Sequence, residues 1–296
     1  MLNAKKRGTL IMSLEIKTNI CLKNYTTWRV GGAAEYFAIV KTPQELLQAL
    51  EFNKKITLLG AGSNVLISDN GIKGLVIKNR MHKVVESGGF IIAESGTALP
   101  LLANYYYLSG FGDLYWAHSI PGTLGGALKS NAGAHGGTIG DLVQSVEVLR
   151  DGKKITLTKS DCGFSYRNSK FLDSDIILNA TLSYKKTPQE LTAQKRKEAI
   201  EYRKLTQPTG FSAGSTFKSV PSPNCSKLIS AGFYIDKAGL KGKRVGGAVV
   251  SEKHANFILN DSSATASDIL ELITTIKLKV YKMFGIVLAE EIKYLG

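Results

Sequence analysis

The sequence predicts an α+β fold, because strand signals and helix signals are both present but do not alternate regularly. Short runs rich in β-branched and aromatic residues recur along the chain, with turn residues between them. A doubly wound parallel sheet needs regular strand–helix alternation and is therefore not predicted. The predicted strands cover residues 36–40, 56–59, 74–77, 89–94, 143–149, 176–184, 246–250, 257–260 and 286–288.

Each predicted helix has its own start signal. Residues 42–45 (TPQE) form a capping box with proline at the first helical position, ahead of an amphipathic run. Residues 187–190 repeat this pattern before a polar helix predicted to reach about Lys204, which is the candidate domain boundary. Thr265 begins another helix, whose apolar residues share one face until Gly285 ends it.

Composition and charge limit the classes of function. The chain has 296 residues with 44% hydrophobic content, enough for real cores, and its net charge of +14 favours anionic partners. The basic residues are dispersed and no RNA-binding signature accompanies them, so nucleic-acid binding is not predicted. The cysteines Cys21, Cys162 and Cys225 have neither disulfide nor metal-ligand spacing, so we expect a reducing cytoplasm and no metal.

Neither a signal peptide nor a membrane span is predicted. The N-terminal segment carries basic residues but no long apolar run. Residues 95–112 lack charge but contain proline, glycine and several polar residues, which is not typical of a membrane helix. We expect residues 1–12 to be a disordered extension, with Met12 as an alternative start.

Two glycine-rich segments are the main candidates for a binding site: residues 59–64 (LGAGSN) and residues 120–137 (IPGTLGGALKSNAGAHGG). Glycine lets the backbone turn sharply, and the N–H groups freed in such turns can hold phosphate. The first segment fails the GxGxxG fingerprint, because Val65 stands at the third glycine position. Two such segments favour a dinucleotide cofactor, although a tight turn remains an alternative for the first. Residues 242–247 (GKRVGG) are either a ligand contact or a hairpin turn.

Several polar residues are candidates for acid–base chemistry. Ser215 follows small residues that leave its hydroxyl accessible, but there is no GxSxG elbow and a serine hydrolase is only weakly supported. Arg167 offers a guanidinium suited to carboxylate or phosphate. Glu290 and Glu291 follow a predicted strand, where one of two neighbours must point inward. A structural loop for Ser215 and ion pairs for the charged residues remain the alternatives.

In their order along the chain, these segments resemble the UDP-N-acetylenolpyruvoylglucosamine reductase family. The resemblance begins at YTTWRVGG and continues to the end of the sequence. It rests on residues 25–32, 59–77, 120–137, 165–171 (SYRNSKF), 213–218 (AGSTFK), 238–260 (AGLKGKRVGGAVVSEKHANFILN) and 285–296 (GIVLAEEIKYLG).

The resemblance implies a bipartite FAD-binding domain of the vanillyl-alcohol-oxidase type, followed by a C-terminal α+β substrate-binding domain. The FAD-binding domain would cover residues 13–204, in lobes of about 13–78 and 79–204. The substrate domain would cover residues 205–296, with its last strand returning towards the flavin. FAD is expected to be bound non-covalently. The implied FAD contacts are Gly60, Ala61, Gly62, Ser63, Asn64, Pro121, Gly122, Gly125, Gly126, Asn131, Gly133, Ala134 and Gly137.

The family's activity implies NADPH-dependent reduction of UDP-N-acetylglucosamine enolpyruvate to UDP-N-acetylmuramate, in peptidoglycan precursor synthesis. Hydride transfer from flavin N5 to the vinyl carbon would be followed by protonation by Ser215. Arg167 and Glu291 would stabilise the intermediate charge, Glu291 as a protonated acid with a raised pKa. Glu290 competes with Glu291 for this role. The implied substrate contacts are Tyr166, Lys218, His254 and Asn256.

Two other functions remain open. One is another FAD-dependent oxidase or dehydrogenase of a sugar or alcohol on the same scaffold. It accounts for the glycine segments but not for Arg167, Ser215 and Glu291 in combination. The other is a non-catalytic nucleotide-binding protein. We expect a monomer with no metal, whose partners are the nucleotide sugar and NADPH.

Overall fold

The computed structural model describes residues 14–53, 55–221 and 228–296. The expected N-terminal extension and Cys225 lie outside these residues. The strands are β1 (Ile16–Cys21), β2 (Ala33–Val40), β3 (Ile56–Leu59), β4 (Val65–Ile67), β5 (Ile72–Asn79), β6 (Val84–Ser87), β7 (Phe90–Glu94), β8 (Gly133–Ala134), β9 (Gly137–Thr138), β10 (Val143–Arg150), β11 (Lys153–Thr158), β12 (Ile176–Leu182), β13 (Val220–Pro221), β14 (Leu228–Ile229), β15 (Arg244–Val245), β16 (Ala248–Val250), β17 (Ile258–Asn260) and β18 (Lys293–Leu295). The helices are α1 (Pro43–Phe52), α2 (Leu99–Leu108), α3 (Leu124–Ser130), α4 (Ile139–Leu142), α5 (Lys159–Cys162), α6 (Gln189–Thr206), α7 (Ala231–Lys237) and α8 (Ala266–Phe284), with 3₁₀ helices at Leu22–Tyr25 and Tyr115–Ser119.

The first lobe is built on a mixed sheet with strand order β1-β2-β5-β3. β1 is antiparallel to β2, whereas β2 and β3 both run parallel to β5. Parallel strands end at the same edge of a sheet, so the turn after β3 lies beside the end of β5. This edge therefore holds the first glycine segment next to Lys78.

The second lobe is an antiparallel sheet with strand order β11-β10-β12-β7-β6. Its apolar face packs against α2, α3 and the 3₁₀ helix Tyr115–Ser119, in a core that buries Tyr106 and Trp116 completely. α6 packs on the 3₁₀ helix and on α2. The second glycine segment, which contains α3, is thus part of the helix layer that covers this sheet.

The C-terminal region contains the sheet β15-β16-β17 together with α7 and α8. Its core also takes in Trp28 and Leu66 from the first lobe. Trp28 Nε1 donates to the carbonyl of Ile258 at 2.7 Å. In addition, β18 pairs in parallel with β4. The first lobe and the C-terminal region therefore share both a core and a sheet.

The predicted α+β class is confirmed, as are two of the helix starts. Thr42 Oγ1 accepts from the Glu45 amide at α1. Thr265 and Asp268 form a complete capping box at α8, and Gly285 ends that helix with φ of 68°. The start predicted at residues 187–190 is wrong in detail, because the N-cap of α6 is Pro188 and no side chain caps the helix.

One further expectation is wrong. Residues 286–288 are not a strand, and pairing resumes after them with the single bridge of Glu290 to Phe217 and then with β18. Residues 120–137 contain the helix α3, which the sequence did not predict. Residues 242–247 belong to the β15–β16 hairpin, which is the turn alternative. Among the described residues, no helix is long and apolar enough to cross a membrane.

Candidate active site

An ion pair joins the second lobe to the C-terminal region. Arg167 Nε lies 2.8 Å from Oε1 of Glu291, and both side chains are mostly buried. The N–H is not aimed at the carboxylate, so this is a charge contact without an aligned hydrogen bond. Arg167 Nη2 also donates to the Gly133 carbonyl at 2.9 Å. One guanidinium thus connects Glu291 with the second glycine segment.

The Glu291 carboxyl is set in a buried position by its own backbone. Its N–H donates to the Thr216 carbonyl at 2.8 Å, and its carbonyl accepts from Asn64 Nδ2 at 3.0 Å. Burial raises the pKa of Glu291 above its usual range, although Arg167 and Lys218 favour the charged form. A carboxyl in such surroundings is more readily protonated than one in water.

Glu290 has a different partner from its neighbour. Its Oε1 lies 2.7 Å from Lys277 Nζ on α8. Successive residues of an extended chain point to opposite sides, so only one of the two glutamates faces the second lobe. The residue in that position is Glu291.

Ser215 belongs to an extended segment at the edge of the C-terminal region. Single β-bridges join Ser215 to Phe257 and Phe217 to Glu290. The segment therefore lies between the backbone around Phe257 and the backbone around Glu290. Gly214 precedes it with φ of 77°, and the space where a Cβ would lie is open. Among the described residues, the Ser215 hydroxyl has no hydrogen-bond partner. It is therefore free to meet a ligand.

Asn256 holds this segment in place. Its Oδ1 accepts from the Phe217 amide at 2.9 Å, and its Nδ2 donates to the Phe217 carbonyl at 2.8 Å. The Asn256 amide donates to His254 Nδ1 at 3.2 Å, and burial lowers the pKa of His254. With both side-chain groups used by the backbone, Asn256 supports the site, and its contact with substrate stays a prediction without geometric support.

Tyr166 lies beside the segment that carries Ser215. Its side chain is 47% exposed, and its hydroxyl accepts from the Ser219 amide at 3.2 Å. The Lys218 amide donates to the Ala289 carbonyl at 2.8 Å. The two residues predicted to meet substrate therefore flank the segment that carries Ser215.

The two glycine segments touch each other. A Cβ on Gly60 would clash with Thr123 Oγ1, and a Cβ on Gly62, where φ is 71°, would clash with the Tyr25 carbonyl. The backbone amides of residues 61–63 have no acceptor among the described residues. Successive free amides in a turn form a concavity that suits a diphosphate. This geometry fits the FAD expected from the resemblance.

Other implied FAD contacts have reasons of their own within the protein. A Cβ on Gly125 would lie 3.1 Å from Ser95 Cβ, and one on Gly137 would lie 2.6 Å from Trp116 Nε1. Asn131 Nδ2 donates to the Ser165 carbonyl, and Asn131 Oδ1 accepts from the Gly140 backbone N–H. Close packing thus accounts for these residues, and their contact with flavin stays a prediction. The rest of the set lies in or beside α3 and β8: Pro121, Gly122, Gly126, Gly133 and Ala134.

The sequence did not predict two residues near the turn at residues 60–64 of the first glycine segment, which we call the glycine turn. Lys78 donates to the Gly60 carbonyl from the end of β5. Thr123 presses on the same glycine from the second lobe. The signal for Lys78 was a lysine within the apolar run GLVIKN, since a buried amine needs a partner.

Gly60→Ala should separate the two glycine segments, because the new methyl group meets the Thr123 hydroxyl. We expect a loss of about 1–3 kcal/mol in the free energy of unfolding, together with weaker FAD binding. Thermal denaturation and flavin fluorescence would measure the two effects. Thr123→Ala in the same chain should restore both, and a double variant as impaired as Gly60→Ala would contradict the contact.

Comparison with known proteins identifies both parts of the chain. Residues 206–295 match the family described as UDP-N-acetylenolpyruvoylglucosamine reductase, C-terminal domain, and residues 34–158 match an FAD binding domain. A UDP-N-acetylenolpyruvoylglucosamine reductase from Clostridium novyi is 39% identical, over 99% of this chain and 96% of the relative. One from Moorella thermoacetica is 40% identical, over 96% and 95%.

A solved structure agrees with these relatives. The crystal structure of UDP-N-acetylenolpyruvylglucosamine reductase from Thermus caldophilus is 35% identical and covers 96% of this chain and 99% of its own, with a TM-score of 0.83. Likeness of this extent, in sequence and in fold, shows common membership. The chain belongs to the UDP-N-acetylenolpyruvoylglucosamine reductase family and is an FAD-dependent oxidoreductase.

Proposed function

We propose that the protein uses NADPH to reduce UDP-N-acetylglucosamine enolpyruvate to UDP-N-acetylmuramate. The observation that carries the proposal is the mostly buried contact of Arg167 with Glu291, beside an unpartnered Ser215 hydroxyl and next to the second glycine segment. Reduction of an enolpyruvyl group needs both stabilisation of negative charge and a proton donor. The relatives' names supply the substrate.

The residues around the cleft divide this chemistry between them. Bound FAD supplies the hydride. Arg167 offers a guanidinium that attracts the substrate carboxylate and the negative charge developing beside it. Glu291 holds a proton at its carboxyl, which its burial favours, and donates a hydrogen bond to the same charge. Ser215 delivers a proton from Oγ to the carbon next to the substrate carboxylate, where the negative charge develops. The transfer is favourable because this carbanion is far more basic than an alkoxide.

The domain assignment is part of the proposal. Residues 13–204 bind FAD in two lobes, and residues 205–296 bind the substrate. Support comes from two contacts between the second lobe and the C-terminal region. Arg167 lies against Glu291, and the Tyr166 hydroxyl accepts from the Ser219 amide. The protein acts as a monomer in the cytoplasm.

Anaerobic titration of the purified protein tests the activity. NADPH should bleach the flavin absorption band, and UDP-N-acetylglucosamine enolpyruvate should restore it with one equivalent of product. Rapid return of the band with oxygen, but not with the enolpyruvyl substrate, would instead support an oxidase. A colourless protein that binds no flavin would exclude both enzymes.

A further inference from the structure

A cationic cavity lies next to the glycine turn, on the face of the turn that contacts Tyr25. Its volume is about 350 Å³, at the small end of the range for ligand pockets. It therefore suits a phosphate-bearing fragment rather than a whole dinucleotide. Its lining includes Ala61 of the turn, the hydroxyl-bearing Thr27, and the bases Arg29, Lys78 and Arg80.

No acidic side chain among the described residues pairs with the positive charges around this cavity. The lining contains no aspartate or glutamate, and among the described residues none of the three bases forms an ion pair. Aromatic rings provide weaker contacts. Arg29 lies 5.6 Å from the centre of the Phe211 ring, and Lys78 lies 5.9 Å from that of Tyr25. Uncompensated like charges favour an anionic ligand.

Lys78 is the unusual member of the group. It is only 9% exposed, although lysine is almost never buried without a partner. It donates to the Gly60 carbonyl, so its ammonium lies directly against the glycine turn. Burial, aided by the charge of Arg80, lowers the pKa of Lys78 to about 8. An ammonium so placed gains a partner when an anion arrives.

We propose that Lys78, with Arg29 and Arg80, binds a phosphate group of a nucleotide cofactor in this cavity. The shared chemistry is a nucleotide phosphate, which either the diphosphate of FAD or the 2′-phosphate of NADPH can supply. Binding of an FAD phosphate rests on the established cofactor, whereas binding of an NADPH phosphate rests on the proposed function.

The test replaces Lys78 with methionine, which keeps the length of the side chain and removes its charge. Lys73→Met is the matched control, because Lys73 lies on the same strand but is exposed. FAD released on dilution of each holoenzyme is measured by its fluorescence. If the flavin supplies the phosphate, Lys78→Met should raise the FAD dissociation constant about 10- to 100-fold, and Lys78→Arg should restore most of the affinity.

If NADPH supplies the phosphate, the FAD dissociation constant should stay unchanged. The KM for NADPH should then rise in Lys78→Met while that for NADH does not. A third measurement uses the unaltered protein, in which affinity for the phosphate-bearing nucleotide should fall as the pH rises past about 8 and Lys78 loses its proton. The titratable and charged groups that face Lys78 in this cavity are Arg29, Arg80 and Tyr25.

Three results would overturn the proposal. One is equal behaviour of Lys78→Met and Lys73→Met in both nucleotide measurements. Another is a Lys78→Arg variant as weak as Lys78→Met, which would point to packing rather than charge. The third is flat nucleotide affinity of the unaltered protein between pH 7 and about 9, since a lysine with a lowered pKa titrates there.

Discussion

Ser215→Ala should slow reoxidation of the reduced flavin by substrate about 10²- to 10⁴-fold, the usual contribution of a general acid. Bleaching of the flavin by NADPH should keep its normal rate, because that step needs no proton from Ser215. Stopped-flow absorbance at the flavin band separates the two half-reactions. The change removes one oxygen from a half-buried side chain that has no partner among the described residues, so the fold should be unaffected.

Ser212→Ala is the matched control, since it removes a hydroxyl from the same segment without touching the predicted acid. Both half-reactions of this variant should resemble those of the unaltered protein. If Ser215→Ala slowed bleaching and reoxidation equally, its defect would lie in flavin binding. Ser215 would then lose its role as the acid.

Glu291→Gln should impair the same half-reaction far more than Glu290→Gln does. The first change replaces the acidic donor beside Arg167 with a much weaker one, and we expect this to cost up to about 10²- to 10³-fold in rate, the cost of losing one donor to a developing charge. The second removes a partly exposed ion pair with Lys277, worth about 1 kcal/mol or less in stability. Rates of reoxidation by substrate, with thermal denaturation as a check on folding, distinguish the two.

Comparing Glu291→Gln with Glu291→Ala tests the protonated form. Glutamine still donates a hydrogen bond but is a much weaker acid, so it should retain more activity than alanine. The rate in the unaltered protein should also fall as the pH rises through the raised pKa of Glu291. If Glu290→Gln were the more damaging change, Glu290 rather than Glu291 would hold this role.

Local signals were read correctly from the sequence where the structure depends on neighbours. The N-cap at Thr42 and the capping box at Thr265 involve residues within one helical turn, so their meaning does not depend on the fold. α2 was missed because no side chain caps it and its uncharged residues give no clear face. α3 was missed because glycine is read as loop, whereas Gly125 here allows a helix to pack closely on Ser95.

The site required knowledge of distant contacts. Alternation indicated that one of Glu290 and Glu291 faces inward, but only the three-dimensional neighbours, Lys277 and Arg167, distinguish them. A glycine in the sequence is equally ambiguous. It is required both where another part of the protein and where a ligand lies close to the backbone. Lys78 is different, because it belongs to no motif. A single lysine in an apolar run still indicates a buried polar partner, which is the Gly60 carbonyl.

The pairing of β18 with β4 has a consequence for how the protein folds. The Asn64 side chain and the Glu291 carbonyl are 227 positions apart in the chain, so closing this loop carries a large entropic cost. Non-local parallel pairing of this kind is slow. The glycine turn, whose Asn64 carbonyl accepts from the Lys293 amide, should therefore be completed late in folding. A nascent chain without β18 exposes β4 as an unpaired edge, a state prone to aggregation.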